Sequence, residues 1–133
     1  MPPEENIEMA RVLWDKAGKD LLTARQLSAL PDSIPESIGF HVQQCAEKSL
    51  KAFLTFHGVF YAFRHDLSYL IDLCAPLDGW FESLRDQAEA MTPFAVEHRY
   101  EDAPLEATRE EVIALVEAAA LIRDYVGGRL EFL

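Results

Sequence analysis

Apolar residues recur along this chain at spacings of three and four, the period of a helix with one buried face. Ala10, Leu13, Trp14, Ala17, Leu21, Ala24 and Leu27 form the first such stripe. They predict a helix over about Asn6 to Leu30, with Lys16, Lys19, Asp20 and Arg25 off the stripe. Pro31-Asp32-Ser33 stops it, because Pro cannot continue a helix. A second helix is expected from Pro35 or Glu36, with Ser33 as its N-cap, to about Phe56, where Gly58 supplies a C-terminal stop. Its apolar face is Ile38, Val42, Cys45, Ser49, Phe53 and Phe56, widened by Leu50 and Leu54.

The aromatic stretch Val59, Phe60, Tyr61 and Phe63 has no strand partner elsewhere and reads as a packed loop. A third helix follows from Asp66, its expected cap, to Ala75, buried through Leu67, Leu70, Ile71 and Cys74. A fourth spans about Gly79 to Ala90, with Trp80, Phe81, Leu84 and Ala88 inward. Residues 95–104 show no period and read as a loop, long for a bundle connection. The last helix has the clearest start, a Thr108-Arg-Glu-Glu111 capping box. Its stripe is Val112, Leu115, Val116, Ala119, Ile122 and Val126, and Gly127-Gly128 is its expected end. These segments predict one all-α domain over residues 1–133, an up-and-down antiparallel bundle of four to five helices.

Composition agrees. At 133 residues and 50% hydrophobic the chain has enough apolar material for one core without a disulfide or metal staple. Cys45 and Cys74, in no metal or redox spacing, read as reduced core thiols. The net charge of −11, from 23 acids and 12 bases, opposes broad nucleic-acid binding and adsorption to anionic membranes. The opening Met1-Pro2-Pro3-Glu4-Glu5 is unlike a signal peptide, and no apolar run is long enough to span a bilayer. A cytoplasmic location is the resulting expectation.

Three polar groups stand out. Gln44, Glu47, Lys48 and Lys51, spaced three, four and seven apart, share one face of the second helix, one turn after Phe40 and His41. The face reads either as a solvated surface with internal Glu/Lys pairs or as a recognition surface whose two amines suit a phosphate. His65-Asp66 reads as a helix cap with a neighbouring His or as a polar handle beside that helix. His98-Arg99-Tyr100, in the long loop, reads as a packing anchor or as a nucleotide contact, with Tyr100 stacking on a base. The four histidines lack the spacing of a helical metal site, so no metal is expected. No phosphate-binding Gly loop and no nucleophile elbow is present.

In order along the chain, Trp14-x-x-Ala17-x-x-Asp20-Leu21-x-x-Ala24, Gln43-Gln44-x-x-Glu47-Lys48-x-x-Lys51-Ala52-x-Leu54, His65-Asp66-Leu67-x-x-Leu70 and Arg99-Tyr100 resemble the HEPN family. The resemblance covers nearly the whole chain. It implies a helical bundle, a homodimer and a role near nucleotides or RNA, with a small nucleotidyltransferase as a frequent partner, in some cases as a toxin–antitoxin pair. The ribonuclease branch of that family carries an Arg followed, after four to six residues, by a His. His41, His57, His65 and His98 have no Arg at that distance upstream. The sequence thus points to a module without catalytic residues or cofactor that binds a nucleotide or a nucleotidyltransferase partner through Gln44, Lys48, Lys51, His65, Arg99 and Tyr100. Two alternatives stand beside it. One is a structural dimerisation domain with Glu47 paired to a Lys across the two-fold axis. The other is a metal-independent ribonuclease with a non-standard site, His65 acting with Arg64 or Arg99.

Overall fold

A computed structural model of the chain describes residues 2–95 and 107–130. Its helices are α1 (Glu4–Ser28), α2 (Pro35–Phe56), α3 (Leu67–Cys74), α4 (Arg85–Met91) and α5 (Arg109–Arg129), and the described residues contain no strand. A 3₁₀ segment, Gly79–Leu84, leads into α4, and a 3₁₀ turn, Thr92–Phe94, follows it. The structure is an all-α helical bundle, as the periodicity predicts. Two contacts set the direction of α5. Its first residue, Arg109, bonds to carbonyls at the end of α1, while Arg123, near its other end, meets Trp14. The last helix therefore runs antiparallel to the first.

α2 is the central element, packed against α1, α3, α4 and α5. Every residue of its expected apolar face is buried, including Leu50 and Leu54. Its C-terminus closes as a Schellman turn: Val59 N–H donates to Leu54 O at 2.9 Å and Gly58 N–H to Thr55 O at 3.1 Å. Gly58 takes φ +70°, a left-handed conformation that costs glycine little. A second glycine, Gly39, lies inside α2 for a different reason. The Phe94 ring lies where a Cβ would project, so only glycine lets the ring close onto the helix. Cys45 and Cys74 are free and buried, and burial pushes both thiols up to about 12.

Several local expectations are corrected. α1 starts earlier and ends at Ser28, not Leu30. Ser33 does not cap α2, whose N-cap is Ile34; its hydroxyl turns back to the carbonyls of Leu27 and Leu30. Asp66 holds the N-cap position of α3, yet its carboxylate accepts no cap hydrogen bond. It is taken by Arg64, and the Leu67 N–H donates instead to Thr92 Oγ1 at 3.1 Å. The fourth helix begins as 3₁₀, with Asp78 accepting from Trp80 N–H. Thr108 caps α5 as expected, accepting from Glu111 N–H at 3.1 Å. Gly127-Gly128 does not end that helix, because the ladder continues to Arg129. Phe60 and Phe63 are each 88% exposed, so only part of the loop after α2 is packed.

Candidate functional site

The polar residues of α2 are built around two buried carboxylates. Asp20 projects from α1 and is 8% exposed; Glu47 projects from α2 and is 5% exposed. A buried carboxylate without partners is strongly destabilising, so each must be paired and hydrogen-bonded. Both are, in the same way. Asp20 Oδ1 meets His41 Nδ1 at 2.9 Å and its Oδ2 accepts from Lys48 Nζ at 2.6 Å. Glu47 Oε1 meets His65 Nδ1 at 2.9 Å and its Oε2 accepts from Lys51 Nζ at 3.1 Å. Each acid thus holds one imidazole and one ammonium.

The glutamines link these groups to the backbone. Gln43, fully buried, donates through Nε2 to Glu47 Oε1 at 2.9 Å and to the His65 carbonyl at 3.0 Å. That second bond fixes the start of the α3 approach against α2. Gln44 Nε2 in turn donates to Gln43 Oε1 at 2.7 Å. Burial would raise the Glu47 carboxyl, but hydrogen bonds from Gln43, His65 and Lys51 outweigh it and hold the group below its ordinary value. An ionised carboxylate only accepts, so each paired ring carries a proton on Nδ1. Nε2 is then the nitrogen outside the pair, an acceptor in the neutral ring and a donor in the imidazolium.

Of the predicted site residues, Gln44, Lys51 and His65 are joined in one network through Gln43 and Glu47, while Lys48 belongs to the separate Asp20 pair. Lys51 is only 9% exposed, which excludes the solvated-surface reading for it and for Glu47. The internal Glu/Lys pair does form, within one chain, so Glu47 has its Lys partner without a two-fold axis. Arg99 and Tyr100 lie outside the described residues. Sequence reasoning placed Asp20 off the apolar stripe, whereas it lies buried beside Ala17, Leu21 and Ala24. It also left His41 and Gln43 without a role. The legible signal was an acid three residues after Ala17 and four before Ala24, inside the stripe's own register.

Next to this face, the loop after α2 supplies aromatic groups. Lys51 Nζ lies 5.6 Å from the Tyr61 ring centroid and 5.7 Å from that of Phe63. The Phe63 ring meets the His65 ring edge to face at 5.2 Å. Arg64 is engaged by other groups: it is bidentate to Asp66 at 2.9 and 2.8 Å and stacks over Tyr69.

A family model for the HEPN domain matches residues 10–129. The chain belongs to the HEPN family. Comparison with curated proteins and with solved structures gives no match. The HEPN match runs from within α1 to the end of α5 and so contains both carboxylate clusters. Among the described residues, no helix of this HEPN chain is long and apolar enough to cross a membrane.

Proposed function

We propose that this HEPN chain is a cytoplasmic, homodimeric binding module that engages a nucleotide or a small nucleotidyltransferase partner, in a toxin–antitoxin-like pair, and does not cleave RNA. The observation that carries this reading is the assembled polar face of α2. Asp20 pairs its oxygens with His41 and Lys48, and Glu47 pairs its oxygens with His65 and Lys51. Such a face offers a ligand polar groups held in fixed orientations. Among the described residues, Arg64, the arginine adjacent to His65, is committed to Asp66 and so is not placed to help His65 activate a 2′-hydroxyl or to stabilise a phosphorane. The acidic net charge of −11 also favours a small or protein ligand over extended RNA.

Calorimetric titration with ATP and GTP tests the nucleotide half. Saturable heat that is weakened by Lys48→Ala or Lys51→Ala supports it; no heat at millimolar ligand overturns it. Co-purification with a nucleotidyltransferase from the native host tests the partner half. Metal-independent RNA cleavage that disappears in His65→Ala would overturn the non-nuclease reading.

A further inference from the structure

The aromatic loop between α2 and α3 departs from the rest of the surface in two ways. First, it exposes two large rings, Phe60 and Phe63, each 88% accessible. Isolated exposed apolar residues are ordinary, but two in four residues, at the edge of a polar cluster, make a patch. Second, the stretch from His57 to His65 contains no Asp or Glu, in a chain with 23 acids. It carries His57, Arg64 and His65 instead. The acids that touch it are neutralised: Glu47 is buried with Lys51 and His65, and Asp66 is bidentate to Arg64. A negatively charged group approaching this loop therefore finds both of these carboxylates compensated.

The order of groups across the loop is specific. Lys51 Nζ stands 5.7 Å from the Phe63 ring centroid. His65 meets Phe63 edge to face, with Nδ1 on Glu47 and its side chain 44% exposed. Phe63 thus offers a ring to stack upon, and the His65 ring, its centroid 5.2 Å away, offers a polar edge. An open hollow of about 360 Å³ is lined by Asn6, Thr55 and residues 58–61. Its lining has no charged residue, so an anion gains nothing there.

We infer that Phe63 and His65, backed by Lys51 and Glu47, form a subsite for a ligand that joins a planar aromatic ring to an anionic group, as a nucleoside monophosphate does. The ring stacks on Phe63 and the phosphate accepts from Nε2–H of a doubly protonated His65, whose Nδ1–H stays on Glu47. A purely apolar partner would leave the polar His65 edge beside Phe63 unused. A bare anion would leave the two exposed rings unused. The inference rests on the nucleotide half of the function proposed above and places it at the α2–α3 loop, away from Lys48.

The test is titration of the full chain with AMP, adenosine and inorganic phosphate, followed by calorimetry and by saturation-transfer NMR on the purine protons. Stacking on an aromatic side chain is worth roughly a five-fold or larger change in affinity per base. Phe63→Ala is expected to weaken AMP at least about five-fold, Phe63→Trp to retain it, and His65→Ala to remove the preference for AMP over adenosine. Phe63 is solvent-exposed, so its variants keep the fold, and circular dichroism checks that. AMP binding unchanged in Phe63→Ala overturns the subsite and leaves nucleotide binding standing elsewhere on the face. Absence of binding by AMP, ATP and GTP overturns the subsite and the nucleotide reading together. Loss of self-association in Phe63→Ala, seen by sedimentation without any nucleotide effect, assigns the loop to a protein interface and overturns the subsite.

Discussion

Trp14 and Arg123 hold each other reciprocally across α1 and α5. The Trp14 indole N–H donates to the Arg123 carbonyl at 3.0 Å, and Arg123 Nε donates to the Trp14 carbonyl at 3.1 Å. The guanidinium also lies 3.6 Å from the indole ring. Gly18 leaves the space: a Cβ there would collide with the guanidinium. Gly18→Ala is therefore expected to displace Arg123 from the indole at a net cost of about 1 kcal/mol or less, since the guanidinium ends a flexible side chain and alanine is the better helix former. Combined with Arg123→Ala, the same substitution should cost clearly less than the sum of the two, read by urea denaturation as a double-mutant cycle.

Glu47 links stability to pH. Its folded carboxyl lies below its ordinary 4.5 because the donated hydrogen bonds outweigh burial. A depressed acid contributes stability that is complete above the unfolded value and lost as pH falls through the folded one. The melting temperature of the wild type should therefore fall below about pH 4.5, and its advantage over Glu47→Gln should shrink over the same range. At neutral pH, Glu47→Gln leaves Lys51 buried beside a neutral amide and is expected to cost about 3 kcal/mol. Glu47→Leu with Lys51→Met should recover part of that loss, as thermal melts would report.

Gly39 and Phe94 make a second steric test. Phe94 is 6% exposed and its ring occupies the space a Cβ would need on α2. Gly39→Ala is expected to destabilise by about 1–3 kcal/mol, although alanine is the better helix former. Phe94→Leu in the same chain should return some of the loss, which guanidinium titration would detect.

Arg109 ties the start of α5 to the α1–α2 turn. Its guanidinium donates to the carbonyls of Leu27, Ser28, Leu30 and Ser33 and to the Ser33 hydroxyl. These include carbonyls that the end of α1 leaves without helical partners. Arg109→Ala should cost about 2 kcal/mol. Arg109→Lys should recover less than half, because one ammonium cannot span the fork of acceptors. Chemical denaturation of the three proteins distinguishes these outcomes.

The helices were legible because apolar periodicity is a local property. The stripes of α2 and α5 are readable from spacing alone, and so is the Thr108 cap. What escaped the sequence depends on distant partners. Ser33 looks like an N-cap until Arg109, far away in the chain, engages it. Asp66 looks like a cap until Arg64 competes for both its oxygens. Gly127-Gly128 looks like a stop, yet Gly127 is buried against the core and the helix continues. The site was half legible. The i, i+4 order of Gln43, Glu47 and Lys51 points to one connected set, but only the pairing of α1 with α2 brings Asp20 to His41 and Lys48. An acid in an apolar register reads as a surface residue until its partners are known.

The central placement of α2 bears on how tightly a ligand can be held. Binding groups on mobile loops lose rotamer freedom when a partner arrives, commonly about 0.5–1.5 kcal/mol for each side chain. Here His41, Glu47, Lys48 and Lys51 project from the helix packed against four others, and their orientations are set before any encounter. Most of that conformational entropy is surrendered during folding. Contacts to these groups can therefore appear almost undiminished as affinity, and α2 amides should be among the slowest in the chain to exchange with solvent.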